Sequence, residues 1–389
     1  MKNKFPLYNP ESFHDACGTG FIVSRSGKTD KRILPLALKS LKKLSHRGAT
    51  SSDQKTGDGS GIMTDLPQEF FRFVLKKQFK KRINPNIKIA IGMVFTTIRE
   101  KKWIESIFKN EIPKFGMKFL NVREVPINEK VLGRDALNTL PVILQFLISS
   151  DKLKNNLEKN LFLLRKIIQK KVFSAKKKSY ICSLSSKTIV YKGLMTSDIL
   201  DHFYLDLSNE FYIVKFALFH ERFSTNTTST WDMAQPFNFI AHNGEFNTIK
   251  GNRLWMKTRE NDIALKYWSK HKKYITPIIN YKGSDSQSFD SALEFLVRSG
   301  RNIYDAIMMM IPDSYTKDQT MKKKLRDYFI YHENFMEPWD GPAAVVFTDG
   351  DVIGAKMDRN GLRPLRYSIT KDGLVIVASE AGILEIPDD

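Results

Sequence analysis

Cysteine is nearly absent: Cys17 and Cys182 are the two among 389 residues. Two thiols make no disulfide framework, so a packed core must hold the chain together. Long apolar runs are missing too. Leu140–Ile148 falls well short of the ~20 residues needed to cross a bilayer and reads as core. Residues 1–16 lack the apolar centre of a secretory signal, and Glu11 and Asp15 argue against an acid-poor transit peptide. The expected compartment is therefore the cytoplasm. No grouping of His, Cys and Asp has metal-ligand spacing, so no metal is expected. Gly57–Gly61 lacks the Lys-Ser/Thr of a phosphate-binding loop.

Acidic residues are outnumbered, 42 Asp and Glu against 62 Lys and Arg, for a net charge of +20. Such an excess suggests a polyanionic partner. The lysines are scattered, however, in short runs such as Lys76–Lys77, Lys170–Lys171, Lys176–Lys178 and Lys322–Lys324, with no nucleic-acid motif among them. A nucleic-acid role is set aside, and a basic surface facing an acidic subunit or domain remains open. Hydrophobic residues make up 42%, enough for a sizeable core.

Periodicity places strands at Gly18–Ser24, Ile87–Thr97, Phe211–Phe219, Phe237–Ala241, Ala343–Thr348, Val352–Lys356 and Leu374–Ala378. A Gly-rich loop, Gly57–Thr64, runs into a further short strand. Turns are expected at Asp349-Gly350 and Asn360-Gly361. Helical faces run over Lys31–Leu44, from Pro67 through Lys77, over Asn155–Val172 and over Phe289–Arg298. The Lys-rich stretch from 150 to 180 is the expected exposed insertion. Strands gather towards both ends of the chain without a βαβ repeat, which predicts α+β layers rather than a parallel doubly wound sheet.

Cys17 stands in Asp15-Ala16-Cys17-Gly18-Thr19-Gly20, just before a strand. Removal of residues 1–16 would give it a free α-amino group, whose pKa of about 7.7–8.0 suits a base at neutral pH. The thiol and its base would then share one residue. On its own, Cys17 reads more readily as a small buried hydrophobe than as a nucleophile, and Cys182 reads as core.

Three more segments bear on Cys17: His220-Glu221-Arg222-Phe223-Ser224-Thr225-Asn226-Thr227, Ala241-His242-Asn243-Gly244-Glu245, and Gly283-Ser284-Asp285-Ser286. Taken singly, Arg222 is a surface ion-pair residue, Asn243-Gly244 a turn pair, His242 a strand-end histidine and Asp285 a helix N-cap. In this order, and after Cys17, they resemble the class II glutamine amidotransferases. Further segments resemble the front end of glutamate synthase large subunits. They are Leu44–Ala49, Gly57–Gly61, Tyr180–Ser185, Asn247–Asn252, Glu337–Ala343 and Asp358–Pro364. The resemblance covers nearly the whole chain.

That resemblance implies an αββα sandwich of the N-terminal-nucleophile type, two antiparallel sheets between helical layers. Residues 1–16 would be a propeptide and 17–389 the amidotransferase domain. It implies hydrolysis of L-glutamine to glutamate and ammonia through a thioester on Cys17. Arg222 would meet the glutamine carboxylate with a planar donor pair, and Asp285 would meet the ammonium. Asn243 and Gly244 would stabilise the oxyanion. Thr225 and Arg47 would help hold the substrate, and Asp358–Arg363 would be a structural turn. The ammonia would serve reductive amination of 2-oxoglutarate on synthase domains carrying FMN and an iron–sulfur cluster. No cofactor is expected in this chain, and no cysteine cluster is present to hold such a centre. Two other readings stay open: an amidotransferase serving another acceptor enzyme, and a degenerate partner without activity.

Overall fold

The computed structural model describes residues 17–150, 156–222, 229–262 and 268–385. Thirteen strands are formed among them: β1 (Gly18–Ser24), β2 (Ser60–Asp65), β3 (Lys88–Thr96), β4 (Lys118–Glu124), β5 (Val142–Ser150), β6 (Tyr180–Ser185), β7 (Thr188–Gly193), β8 (Phe216–Glu221), β9 (Ile240–Gly244), β10 (Ala343–Thr348), β11 (Ile353–Met357), β12 (Arg366–Ile369) and β13 (Leu374–Ala378). The helices are α1 (Ile33–Lys43), α2 (Gln68–Phe79), α3 (Lys101–Glu111), α4 (Arg134–Asn138), α5 (Leu157–Ser174), α6 (Leu200–Phe203), α7 (Ile249–Arg259), α8 (Lys272–Ile275), α9 (Asp285–Arg298), α10 (Ile303–Met310) and α11 (Lys323–Glu333). The fold class is α+β, as the sequence predicts.

The strands make a six-stranded sheet in the order β12-β13-β1-β8-β2-β7, a three-stranded sheet β11-β10-β9 and a four-stranded sheet β4-β5-β3-β6. Every pairing is antiparallel. Side chains alternate across a strand, so each sheet has two faces to cover. One apolar cluster joins Phe21, Met63, Val190, Leu218 and Val377 of the six-stranded sheet to Ala241 and Val346 of the three-stranded one. The other face of the six-stranded sheet packs on α1 and α2 through Ile22, Leu34, Leu41, Ile62 and Phe71. The far face of the three-stranded sheet packs on α9 and α10 through Ile240, Val345, Phe289 and Ile307. Burying each such side chain stabilises the fold by about 1.5–3 kcal/mol.

β1, β10 and β13 keep the predicted bounds. Other elements shift for identifiable reasons. β8 begins at Phe216, because the Phe211 amide turns back onto Asn209 Oδ1 at 3.0 Å. β9 begins at Ile240, because the amides of Asn238 and Phe239 are spent on Asp290 at 3.2 and 2.7 Å. α9 begins at Asp285, and Ser284 rather than Asp285 is its N-cap, accepting the Gln287 amide at 3.1 Å. The stretch from 157 to 174 is no exposed insertion. α5 buries Leu161, Leu164, Ile167 and Ile168, and its Arg165 forms a buried ion pair with Glu294. Cys182 is fully buried, as expected, and burial pushes its thiol up to about 12. The Asp358–Arg363 turn is structural: the Asp358 carboxylate accepts the amides of Ala343, Asn360, Leu362 and Arg363.

Candidate active site

β1 and β8 lie side by side with Gly18 opposite Glu221, so Cys17 and Arg222 extend from the same end of adjacent strands. Cys17 is half-buried. The start of β1 is pinned from both sides. The Thr19 amide donates to Ser379 Oγ at 3.1 Å, and Thr19 Oγ1 donates to the Phe219 carbonyl at 3.1 Å. A nucleophile placed there inherits the rigidity of the sheet centre.

Arg222 is only 6% exposed. Its amide donates to the Gly59 carbonyl at 2.8 Å, and its guanidinium reaches the Asp58 carbonyl at 3.4 Å. Burial pulls the guanidinium below its ordinary value. Cys17 and the carboxylates of Asp58, Asp232 and Asp285 oppose that pull, so all four act on its charge. A buried guanidinium at the end of β8, next to the strand that Cys17 leads into, can hold an anionic group near the sulfur.

Asp285 opens α9, where the helix dipole favours a negative charge. Its Oδ2 accepts the Phe246 amide at 2.9 Å, and its Oδ1 accepts the Ser286 amide at 2.7 Å. Arg253 steadies the preceding loop, donating to the carbonyls of Gly283 and Ser284 at 2.6 and 3.1 Å.

Asn243 and Gly244 end β9 at the boundary with the six-stranded sheet. Asn243 is buried, and its Oδ1 has no hydrogen-bond partner among the described residues. Gly244 has φ +120°, and a Cβ there would sit on the Pro342 carbonyl oxygen, so no other residue fits. Asn243-Gly244 is thus the end of a strand and not a reverse turn.

Two predicted residues stand differently. Arg47 follows α1, and its guanidinium pairs with the carboxylate of Glu380, which His46 Nε2 also meets at 2.9 Å. Thr225 lies outside the described residues.

The structure adds residues that the sequence reading passed over. Asp58 is one: its carbonyl meets the Arg222 guanidinium, and its Oδ1 accepts Ser229 Oγ at 2.7 Å. The Gly57–Gly61 run, set aside as a phosphate loop, was the signal for it. Glu221 is another, fully buried on the face of β8 opposite Arg222. Burial pushes its carboxyl well above the ordinary range, and Ser197 works against that. A Cβ at Gly48 would strike the Glu221 carboxyl, which explains glycine directly after Arg47.

The model of the class-II glutamine amidotransferase family matches residues 17–389. The chain belongs to the class-II glutamine amidotransferases. Its relatives include ferredoxin-dependent glutamate synthase 2 of Synechocystis sp., 42% identical over 96% of this chain and 24% of the relative. The large chain of NADPH glutamate synthase from Bacillus subtilis is 42% identical over 98% of this chain and 25% of its own length. The ferredoxin-dependent glutamate synthase of Pyropia yezoensis is 42% identical over 99% of this chain and 26% of its own. The amidotransferase chain thus spans about a quarter of the length of these relatives. Among its described residues no helix is long and apolar enough to cross a membrane, and no group of His, Cys, Asp and Glu could hold a metal ion.

Proposed function

We propose that the chain hydrolyses L-glutamine to L-glutamate and ammonia as the glutaminase half of glutamate synthase. Removal of residues 1–16 would free the Cys17 amine, which takes the thiol proton as sulfur attacks the carboxamide carbon. Asn243 and the Gly244 amide stabilise the oxyanion, a contribution worth about 3–4 kcal/mol of barrier per donor. As the carbon–nitrogen bond breaks, the Cys17 ammonium returns its proton and ammonia leaves. Water, deprotonated by the same amine, then cleaves the γ-glutamyl thioester. Arg222 binds the substrate carboxylate and Asp285 its ammonium, with Thr225 and Arg47 as further substrate contacts.

The ammonia would pass to synthase domains, where FMN and an iron–sulfur cluster support reductive amination of 2-oxoglutarate. On this reading the chain serves glutamate biosynthesis and ammonia assimilation in the cytoplasm. The reaction assigned here uses a thiol, an amine and water, and no cofactor. The finer architecture belongs to the same reading: an αββα sandwich with the six- and three-stranded sheets as its inner layers.

The observation that carries the proposal is the buried Arg222, which leaves β8 at the same end where Cys17 enters the neighbouring β1. The test is the intact mass of the purified chain beside Cys17→Ala, followed by glutamate release. A wild-type mass starting at Cys17, with a full-length variant, supports the mechanism. A wild-type chain that keeps residues 1–16 in its native host refutes it.

A further inference from the structure

Three elements carry the groups assigned to glutamine: β8 leads into Arg222, β9 carries Asn243, and α9 begins with Asp285. They belong to different layers, since β8 lies in the six-stranded sheet and β9 in the three-stranded one. No ladder hydrogen bond fixes one to the other. Two buried histidines bridge the gap. His220 Nε2 meets the carbonyl oxygen of His242 at 3.0 Å, the peptide just before Asn243. His242 Nδ1 meets Ser286 Oγ at 2.8 Å. Ser286 Oγ in turn donates to Asp285 Oδ1 at 3.2 Å.

The proton positions follow from what each atom can do. A carbonyl only accepts, so His220 must carry its proton on Nε2. The single Ser286 hydroxyl proton goes to the Asp285 carboxylate, so that oxygen must accept from His242, whose proton then sits on Nδ1. The remaining ring nitrogens, His220 Nδ1 and His242 Nε2, are the two with no partner among the described residues. Each is the nitrogen left without a proton, which is why neither orphans a donor. His220 and His242 are fully buried, and the His242 ring is stacked on Phe246 at 4.5 Å, so neither ring is free to rotate.

We propose that His220 and His242 are positioning residues that brace the three elements of the glutamine site, His220 setting where Asn243 stands relative to Cys17 and Arg222, and His242, through Ser286, aiming the Asp285 carboxylate. The proposal rests on the substrate roles given above. It divides the labour: His220 supports the oxyanion donor and so kcat, whereas His242 supports the ammonium contact and so KM.

Conservative replacements separate bracing from bulk. Gln can present Nε2–H where His220 presents its own, Asn can present Nδ2–H where His242 presents Nδ1–H, and Phe keeps ring volume without a donor. A lost hydrogen bond of about 1–3 kcal/mol corresponds to roughly 5- to 150-fold. His220→Phe should therefore lower kcat at least about 10-fold, with His220→Gln restoring it to within about threefold. His242→Phe should raise KM for glutamine about 10-fold at near-normal kcat, with His242→Asn restoring it. Gln and Phe variants equally impaired at His220, or an unchanged KM in His242→Phe, would overturn the brace. Long-range proton–nitrogen NMR of the wild-type imidazoles is the second measurement, independent of activity. Nε2–H on His220 with Nδ1–H on His242 sustains the brace, and either opposite tautomer sinks it. Loss of glutaminase activity in the wild type would count against the proposed function alone, because the tautomers still decide the brace.

Discussion

The Arg222 guanidinium rests on the carbonyl oxygen of Asp58 at 3.4 Å, and Asp58 Oδ1 in turn holds Ser229 Oγ at 2.7 Å. Asp58 thus ties the residue assigned to the substrate carboxylate to the chain on the far side of residues 223–228. Arg222→Lys keeps a cation but loses the planar fork, and a charged bidentate contact is worth about 1.5–3 kcal/mol. Steady-state kinetics should show KM for glutamine rising roughly 10- to 100-fold with kcat little changed. Asp58→Ala should shift KM in the same direction by a smaller factor. A large kcat loss with normal KM in either variant would contradict the assignment of Arg222.

Asn243→Ala should behave in the opposite way. On the proposed mechanism it removes a donor used only when the oxyanion develops, so kcat should fall about 100- to 1,000-fold with KM near normal. Gly244→Ala should be worse, since its Cβ collides with the Pro342 carbonyl and forces φ from +120°. Circular dichroism and melting temperature would separate misfolding from lost chemistry.

Asp290 gathers the entry to β9. Its carboxylate accepts the amides of Asn238, Phe239 and Ile240 at 3.2, 2.7 and 3.1 Å, as well as Asn238 Nδ2. Burial raises its pKa to about 6, the Glu294 carboxylate adds to the rise, and the donors from Asn238 and Phe239 oppose it. Asp290→Ala leaves three backbone donors unsatisfied, at about 1–3 kcal/mol each. Urea unfolding should show a loss of at least about 3 kcal/mol. A loss below about 1 kcal/mol would mean those amides find other partners.

His220 supplies a pH dependence with a definite sign. Burial lowers its pKa from 6.5 to about 3, and the neighbouring Arg222 and His242 add to the lowering, while its bond to the His242 carbonyl acts the other way. As pH falls below about 6.5, the unfolded chain takes up a proton that the folded chain refuses. The stability contributed by neutral His220 is complete above that pH and is lost at roughly 1.4 kcal/mol per pH unit down to about 3. Between pH 7.5 and pH 5.0 the wild type should therefore lose about 2 kcal/mol more of its unfolding free energy than His220→Gln does. Identical slopes in the two proteins would refute this account.

The candidate site residues could be picked out in the sequence because they stand at strand ends and a helix start, where short motifs mark them. Cys17 precedes a Gly-flanked strand, Asn243-Gly244 closes one, and Ser284-Asp285 opens α9. Local patterning also fixed β1, β10 and β13, each a short apolar run bounded by turn residues or glycine. β5 was not assigned, since VILQFLISS is buried on almost every side chain and shows no alternation. The entries to β8 and β9 were misplaced because Asn209 and Asp290 take amides that the pattern gave to strands.

The sequence by itself determined which chemistry the chain carries: a thiol before a strand, a planar cation, a carboxamide beside a glycine, and a carboxylate, in one order. Only the tertiary structure decided that Asp58 and Arg222 share a loop contact, that Asp290 rather than a neighbouring strand receives the amides before β9, and that His220 and His242 link two sheets. The reason is range. Motifs and periodicity report the few residues around each position, whereas these contacts join elements 22 to 164 positions apart, which only the packing of the sheets and helices brings within hydrogen-bond distance.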